Sequence, residues 1–202
     1  MNAKFIVIEG LDGSGKSTQA KKLARNLKNS LLTREPTDEP IGSLCRAAFS
    51  RQIALNHASI MLLLIADRIE HLEKKVLPAL CAGQDIVCDR YYLSNMAYQS
   101  SNEQEMQEIY ALNKKFNALR PDITIFLSLD PEAALERIKL RSSDHSIFED
   151  LKTLEKINTN YQNAIAFLKS QGETVVEISA LPTEDEIAAE ILDAVRACCY
   201  KI

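Results

Sequence analysis

Eight residues near the N-terminus have the types and spacing to hold a triphosphate. Gly10-Leu11-Asp12-Gly13-Ser14-Gly15-Lys16-Ser17 fits the pattern G-x-x-x-x-G-K-[ST]. Its glycines let backbone N–H groups turn inward and come close to phosphate oxygens. The helix that opens at Lys16, Ser17 and Thr18 brings the positive end of its dipole to the same place. Lys16 has the reach for β- and γ-phosphates, and the Ser17 hydroxyl can ligate Mg2+. The bland alternative is a chance glycine-rich turn. The motif points to a nucleoside triphosphate and does not say what accepts its phosphoryl group.

Four arginines in the first half of an acidic chain ask for an explanation: Arg34, Arg46, Arg68 and Arg90. The planar guanidinium donates two parallel hydrogen bonds to phosphate, so a second, phosphate-bearing substrate beside the triphosphate accounts for all four. Solvated or ion-paired side chains are the alternative, most readily for Arg46 and Arg68, which lie inside apolar helical patterns. Asp89, at a strand end, can hold Mg2+ directly or through water, or else cap a helix or pair with Arg90. Asp12 is acidic where the motif does not require it, next to the space where an acceptor hydroxyl or sugar would sit. Arg137 and Arg141 are four apart on one helix face. The polar break at 142–147 follows them, which suits a lid over about 141–149 that closes on the triphosphate and keeps water out. An ordinary charged helix end is the competing reading. His57, His71 and His145 form no ligand cluster.

The elements that must position these groups alternate. Residues 4–9 read as a buried strand and 17–29 as an amphipathic helix. Strands are expected at 30–33, 86–88, 123–129 and 174–178. Helices are expected at 41–51, from Asn56 to about 80 with a kink at Pro78, at 94–99 continued by 104–119, after the Asp130-Pro131 start signal, at 148–171 and at 183–199. Alternation of this kind gives an α/β fold: a five-stranded parallel sheet with helices on both faces, as in P-loop NTPases, with a short lid. Ligands in such sheets bind beyond the carboxyl ends of the strands. The phosphate loop, Arg34-Glu35-Pro36, Asp89-Arg90-Tyr91 and Asp130-Pro131 all follow strands, so they should crowd one edge.

A chain of 202 residues is long enough for a full core and is expected to be one domain over 1–202. The net charge of −4 argues against a nucleic-acid footprint. No apolar run reaches membrane-spanning length, and the chain enters a strand at once, without a secretory signal. Cys45, Cys81, Cys88, Cys198 and Cys199 are odd in number with no C-x-x-C spacing, which suits reduced thiols in a cytoplasm better than disulfides or zinc.

Together these residues resemble the thymidylate kinase family along almost the whole chain. The carriers are Phe5-Ile-Val-Ile-Glu-Gly-Leu-Asp-Gly-Ser-Gly-Lys-Ser-Thr-Gln, Thr33-Arg-Glu-Pro-Thr, Pro40-Ile-Gly, Ala66-Asp-Arg, Cys88-Asp-Arg-Tyr and Ser94-Asn-Met-Ala-Tyr-Gln. Leu119-Arg-Pro-Asp, Leu129-Asp-Pro-Glu and Phe148-Glu follow later in the chain. The resemblance implies transfer of the ATP γ-phosphate to thymidine 5′-monophosphate (dTMP). It implies that Arg34, Arg46 and Arg90 surround the monophosphate and that Arg68 reaches thymine O4. Ser94, Asn95 and Gln99 would line the base pocket, Tyr98 would sit near the deoxyribose, and Asp12 would face the 3′-hydroxyl. It also implies a homodimer formed through long helices, residues 60–76 among them.

The chain departs from the family in three places. Leu64 stands where an aromatic residue usually stacks on thymine, Gly13 where some members carry an arginine, and Ser146-Ile147 where Asp-Arg often precedes Phe-Glu. The charge on the transferring group should then come from the lid, with Arg141 on the phosphoryl group and Arg137 on the adenine side. The expected chemistry is direct in-line transfer by positioning and charge stabilisation. Lys16, Asp12, Arg90 and Arg141 are its main residues. The alternatives are a kinase for another nucleoside monophosphate and a nucleotide-binding regulatory ATPase.

Overall fold

The computed structural model describes residues 3–141 and 150–200. Five strands form one sheet: β1 (Phe5–Gly10), β2 (Ser30–Arg34), β3 (Asp85–Asp89), β4 (Ile123–Ser128) and β5 (Val175–Ser179). Their order is β2-β3-β1-β4-β5 and every pairing is parallel. The inner strands are apolar on both sides because both faces are covered; Phe5, Ile6, Val7 and Ile8 of β1 and Ile123, Ile125, Phe126 and Leu127 of β4 are all buried. Edge strand β2 keeps Leu32 partly exposed and Thr33 buried.

Helix α1 (Lys16–Asn26) packs against α9 (Glu184–Cys199) on one face. On the other, α5 (Tyr92–Gln99) is flanked by α3 (His57–His71), α6 (Glu103–Lys115) and α8 (Leu151–Ser170). Helix α2 (Pro40–Phe49) lies on α3, and α7 (Pro131–Arg141) on α8. Asn56 caps α3 by accepting the Ser59 N–H at 2.8 Å, and Asp130 accepts the Glu132 N–H at 2.9 Å at the start of α7, both as expected.

Two helical stretches carry detail beyond the expectation. The long helix that begins at α3 runs to the expected end near residue 80. It passes through a π-helical turn, Leu72–Val76, in which the Leu77 N–H reaches back five residues to the Leu72 carbonyl, and continues as α4 (Leu77–Cys81). The wider turn has already shifted the hydrogen-bond ladder, so the proline's missing N–H falls near the start of a new segment, where it costs little. The stretch from 94 to 119 is two helices, because Ser100 turns extended and Asn102 caps α6 through the Glu105 N–H.

The register levels the strand ends. Ile8 of β1 and Arg34 of β2 both stand opposite Asp89 of β3. The phosphate loop, the 34–36 segment and Asp89-Arg90 therefore leave the sheet side by side.

Candidate active site

The loop after β1 is shaped by close backbone approach. Gly13 has φ +84°, and a Cβ there would lie 2.6 Å from the Ala134 carbonyl oxygen of α7. No side chain fits between the loop and that helix. Gly15 opens α1 without a side-chain cap, and no acidic residue stands in the first turn. Among the described residues, no capping side chain and no acidic side chain of the first turn competes with an anion for the first N–H groups of α1.

Lys16 is 5% exposed, and its Nζ donates to the Leu11 carbonyl at 2.7 Å with Asp12 at 3.7 Å. Burial and the nearby Arg90 charge lower its pKa to about 8, against the pull of Asp12 and Asp89. Ser17 Oγ donates to Asp89 Oδ2 at 2.5 Å, which joins α1 to the end of β3. The other carboxylate oxygen, Asp89 Oδ1, is buried without a partner among the described residues. A hydroxyl and a carboxylate with a spare oxygen suit a hard cation that takes its remaining ligands from phosphate and water. Among the described residues no group of three His, Cys, Asp or Glu could hold a metal unaided.

Arg90 adopts φ +72° and turns back over the loop. Its guanidinium donates to Asp12 Oδ1 at 2.5 Å, Ser94 Oγ at 3.0 Å and Tyr98 Oη at 3.4 Å, and lies 5.0 Å from the Tyr98 ring centre. Burial pushes the Asp12 carboxyl up, but Arg90, Lys16 and Tyr98 overcome it and hold the group well below the usual carboxylate range. Beneath this cluster lies Glu9, fully buried in β1. It accepts the backbone N–H of Tyr91 at 2.8 Å and of Ser94 at 3.1 Å, the Ser94 hydroxyl at 2.5 Å and the Tyr161 hydroxyl at 3.2 Å. Glu9 thus caps α5 from inside the sheet and fixes the segment that carries Arg90. Burial raises its pKa despite the Ser94 bond and the Arg90 charge.

Arg90 and Asp12 border a cavity of about 220 Å³ that runs between α3 and α5. Several buried polar atoms around it lack hydrogen-bond partners among the described residues, among them Arg68 Nε, Tyr91 Oη, Asn95 Oδ1 and Nδ2, and Gln99 Oε1. Buried polar atoms are nearly always paired, so this set has the character of a ligand edge. Leu64, Ser94 and Tyr98 also line the cavity, as does Phe49 at the end of α2. Arg68 is 2% exposed, forms an ion pair with Glu35 at 2.7 Å, donates to Asn113 Oδ1 at 2.6 Å and rests over the Tyr91 ring at 4.8 Å.

The other two arginines stand apart from this cavity. Arg34 is more than half exposed, pairs with Asp38 at 2.6 Å and borders a larger cleft of about 680 Å³ that Ser17 and Asp89 also reach. Arg46 donates to the Pro36 and Thr37 carbonyls and to Ser43 Oγ. Of these partners, Pro36 lines the cavity. Arg137 donates to the Ala180 carbonyl at 3.0 Å, beyond the end of β5. The Arg141 side chain and residues 142–149 lie outside the described residues.

Known proteins of similar sequence and shape decide the family. A family model for thymidylate kinase matches residues 8–191. The chain belongs to the thymidylate kinase family. A probable thymidylate kinase of Pyrococcus horikoshii is 35% identical over 205 residues, covering 97% of each chain. The thymidylate kinase of Leptospira borgpetersenii is 34% identical over 193 residues, covering 94% of this chain and 91% of its own. The solved thymidylate kinase of Candida albicans superposes with a TM-score of 0.81 at 28% identity, over 97% of this chain and 92% of that one. Nucleotide-phosphate kinase chemistry follows from membership of the thymidylate kinase family, in keeping with a glycine-rich loop beside a cavity edged by unpartnered polar atoms.

Sequence reasoning missed Glu9, Glu35, Phe49 and Asn113. Glu9 carried a readable signal, an acid inside an otherwise apolar strand just before the loop. Asn113 carried a fainter one, an amide on the apolar face of α6.

Proposed function

We propose that the protein transfers the γ-phosphoryl group of ATP to dTMP, giving dTDP. One observation carries this reading: the unpartnered set of Arg68 Nε, the Asn95 amide and Gln99 Oε1 around one cavity, with Arg90 and Asp12 at its mouth. A thymine edge complements it. Carbonyl O4 accepts the Arg68 N–H, and ring N3–H donates to Asn95 Oδ1. Tyr98 then lies beside the deoxyribose, Asp12 by its 3′-hydroxyl and Arg90 by the monophosphate, within reach of the loop where the triphosphate ends.

In this reading the loop N–H groups and Lys16 hold the β- and γ-phosphates. Ser17 and Asp89 would hold Mg2+, which supplies charge neutralisation on the phosphate oxygens. The acceptor oxygen is already ionised, so no strong base is required. Alignment and charge stabilisation do most of the work. Arg141 contributes charge to the transferring group, Arg137 sits toward the donor base, and the 141–149 segment of a single domain keeps water out. We also propose a homodimer through long helices, residues 60–76 among them, where Leu62 is 51% exposed. Among the described residues no helix is long and apolar enough to cross a membrane.

A coupled assay with ATP and a panel of dTMP, dUMP, dGMP and AMP tests the reading. Preferred turnover of dTMP supports it. Preference for another monophosphate, or ATP hydrolysis with no transfer, refutes it.

A further inference from the structure

Arg68 is held from more directions than charge balance requires. Glu35 neutralises it at 2.7 Å and is itself fixed by His71 Nδ1 at 3.0 Å, whose Nε2 meets Thr33 Oγ1 at 2.7 Å. That network belongs to β2, the 35–37 segment and α3. Asn113 comes from a different element, α6, and from 45 residues away in sequence. It is 1% exposed; its Nδ2 donates to the Ile109 carbonyl at 2.8 Å, one turn back, and this bond turns Oδ1 toward Arg68 Nη1 at 2.6 Å. A buried amide in a core-facing helical position is costly unless both ends are used, and here both are.

The two anchors divide the work. The Glu35 pair keeps a charge inside the protein, and it would do so for several rotations of the guanidinium. Adding Asn113 on Nη1 and the Tyr91 ring face at 4.8 Å leaves one orientation, in which Nε is the guanidinium nitrogen without a partner among the described residues. We propose that Asn113 is a positioning residue for acceptor selection. It aims the Arg68 Nε–H into the cavity, so that a pyrimidine with a carbonyl at the 4-position is favoured over one with an amino group there. The proposal rests on the functional reading above, because it assumes that the acceptor base occupies this cavity.

The test compares dTMP with dCMP as acceptors for wild type, Asn113→Leu, Asn113→Ala and Asn113→Asp. The Leu and Ala variants remove the oxygen that holds Nη1, one with similar bulk and one without. In both, KM for dTMP should rise at least tenfold and the dTMP-to-dCMP ratio of kcat/KM should fall at least tenfold. The KM for ATP, and kcat at saturating dTMP, should stay within about threefold. Asn113→Asp keeps an acceptor toward Arg68 in either charge state and should retain most of the discrimination. A mere packing role would lower both acceptors together, so an equal loss for dTMP and dCMP overturns the proposal. So does an unchanged ratio in either oxygen-free variant, and two of them guard against one failing to fold. A wild-type enzyme with no preference for dTMP over dCMP overturns the functional reading along with this one; a preference that persists in the variants overturns this one alone.

Discussion

Arg90 Nη2 lies 2.5 Å from Asp12 Oδ1, so the end of β3 and the glycine-rich loop share an ion pair at the border of the cavity between α3 and α5. Each residue sets the other's state. Arg90→Ala should lower kcat/KM for dTMP by about 10- to 100-fold, the worth of charged hydrogen bonds of about 1.5–3 kcal/mol, and should affect the KM for ATP less. A stability signature accompanies it. The folded Asp12 carboxyl titrates below its reference value of 3.8. It therefore contributes stability that is present above that value and lost as pH falls toward the folded pKa. Arg90→Ala removes its strongest attractive charge, so the stability gap between wild type and variant should narrow below about pH 4. Urea melts at neutral and acid pH measure this.

Lys16 gives a second pH dependence. Its folded pKa is lowered to about 8, so the free enzyme loses this charge as pH rises past that value. Since kcat/KM reports the free enzyme, kcat/KM for ATP should fall above about pH 8. Bound triphosphate restores the lysine charge, so kcat should hold to higher pH. Coincident profiles would remove Lys16 from the explanation.

Gly13 is confined by its φ of +84° and by the Ala134 carbonyl. Gly13→Ala must displace α7 or the loop, at about 1–3 kcal/mol, and should lower Tm by several degrees. A variant with the wild-type melting temperature would show that α7 yields freely.

Because Gly13 admits no side chain, the loop itself cannot supply an arginine to the transferring group. Arg141→Ala should then lower kcat at least tenfold with little change in KM for dTMP. Steady-state kinetics decides, and unchanged turnover would exclude Arg141.

Phe49 and Leu64 line the same cavity. Leu64 offers no ring to a pyrimidine, while Phe49 does. Phe49→Leu should weaken dTMP by about 0.5–1.5 kcal/mol, or roughly 2- to 12-fold in KM. Leu64→Phe in that background should restore it. Calorimetric titration of dTMP into the double variant is the direct check.

Much of this was legible before any coordinates. Apolar runs bounded by turn residues marked all five strands, and the rule that ligands gather at strand ends placed Asp12, Lys16, Ser17, Asp89 and Arg90 together. Periodicity shows which face of a helix is buried, however, and says nothing about which polar residue on that face meets which. Glu9 finds Tyr91 across 82 positions, and Asn113 finds Arg68 across 45. Such pairings are set by how helices stack on the sheet. The same holds for Arg34 and Arg46, whose charge was plain and whose partners, Asp38 and the Pro36 carbonyl, depend on how the 35–40 segment folds back. The π turn was hidden because an inserted residue leaves the apolar pattern almost intact on either side of it.

The place of β1 in the middle of the strand order has an evolutionary reading. Asp89, with Arg90 after it, leaves the sheet on the β3 side of that strand, and the Arg137–Ala180 contact lies toward β5 on the other. In the proposed reading, mutations that retune the accepted base can therefore accumulate in α2, α3 and α6, which pack on one another and on α5 rather than on α1 or α7. A scaffold divided in this way can diversify its products while keeping a single energy source.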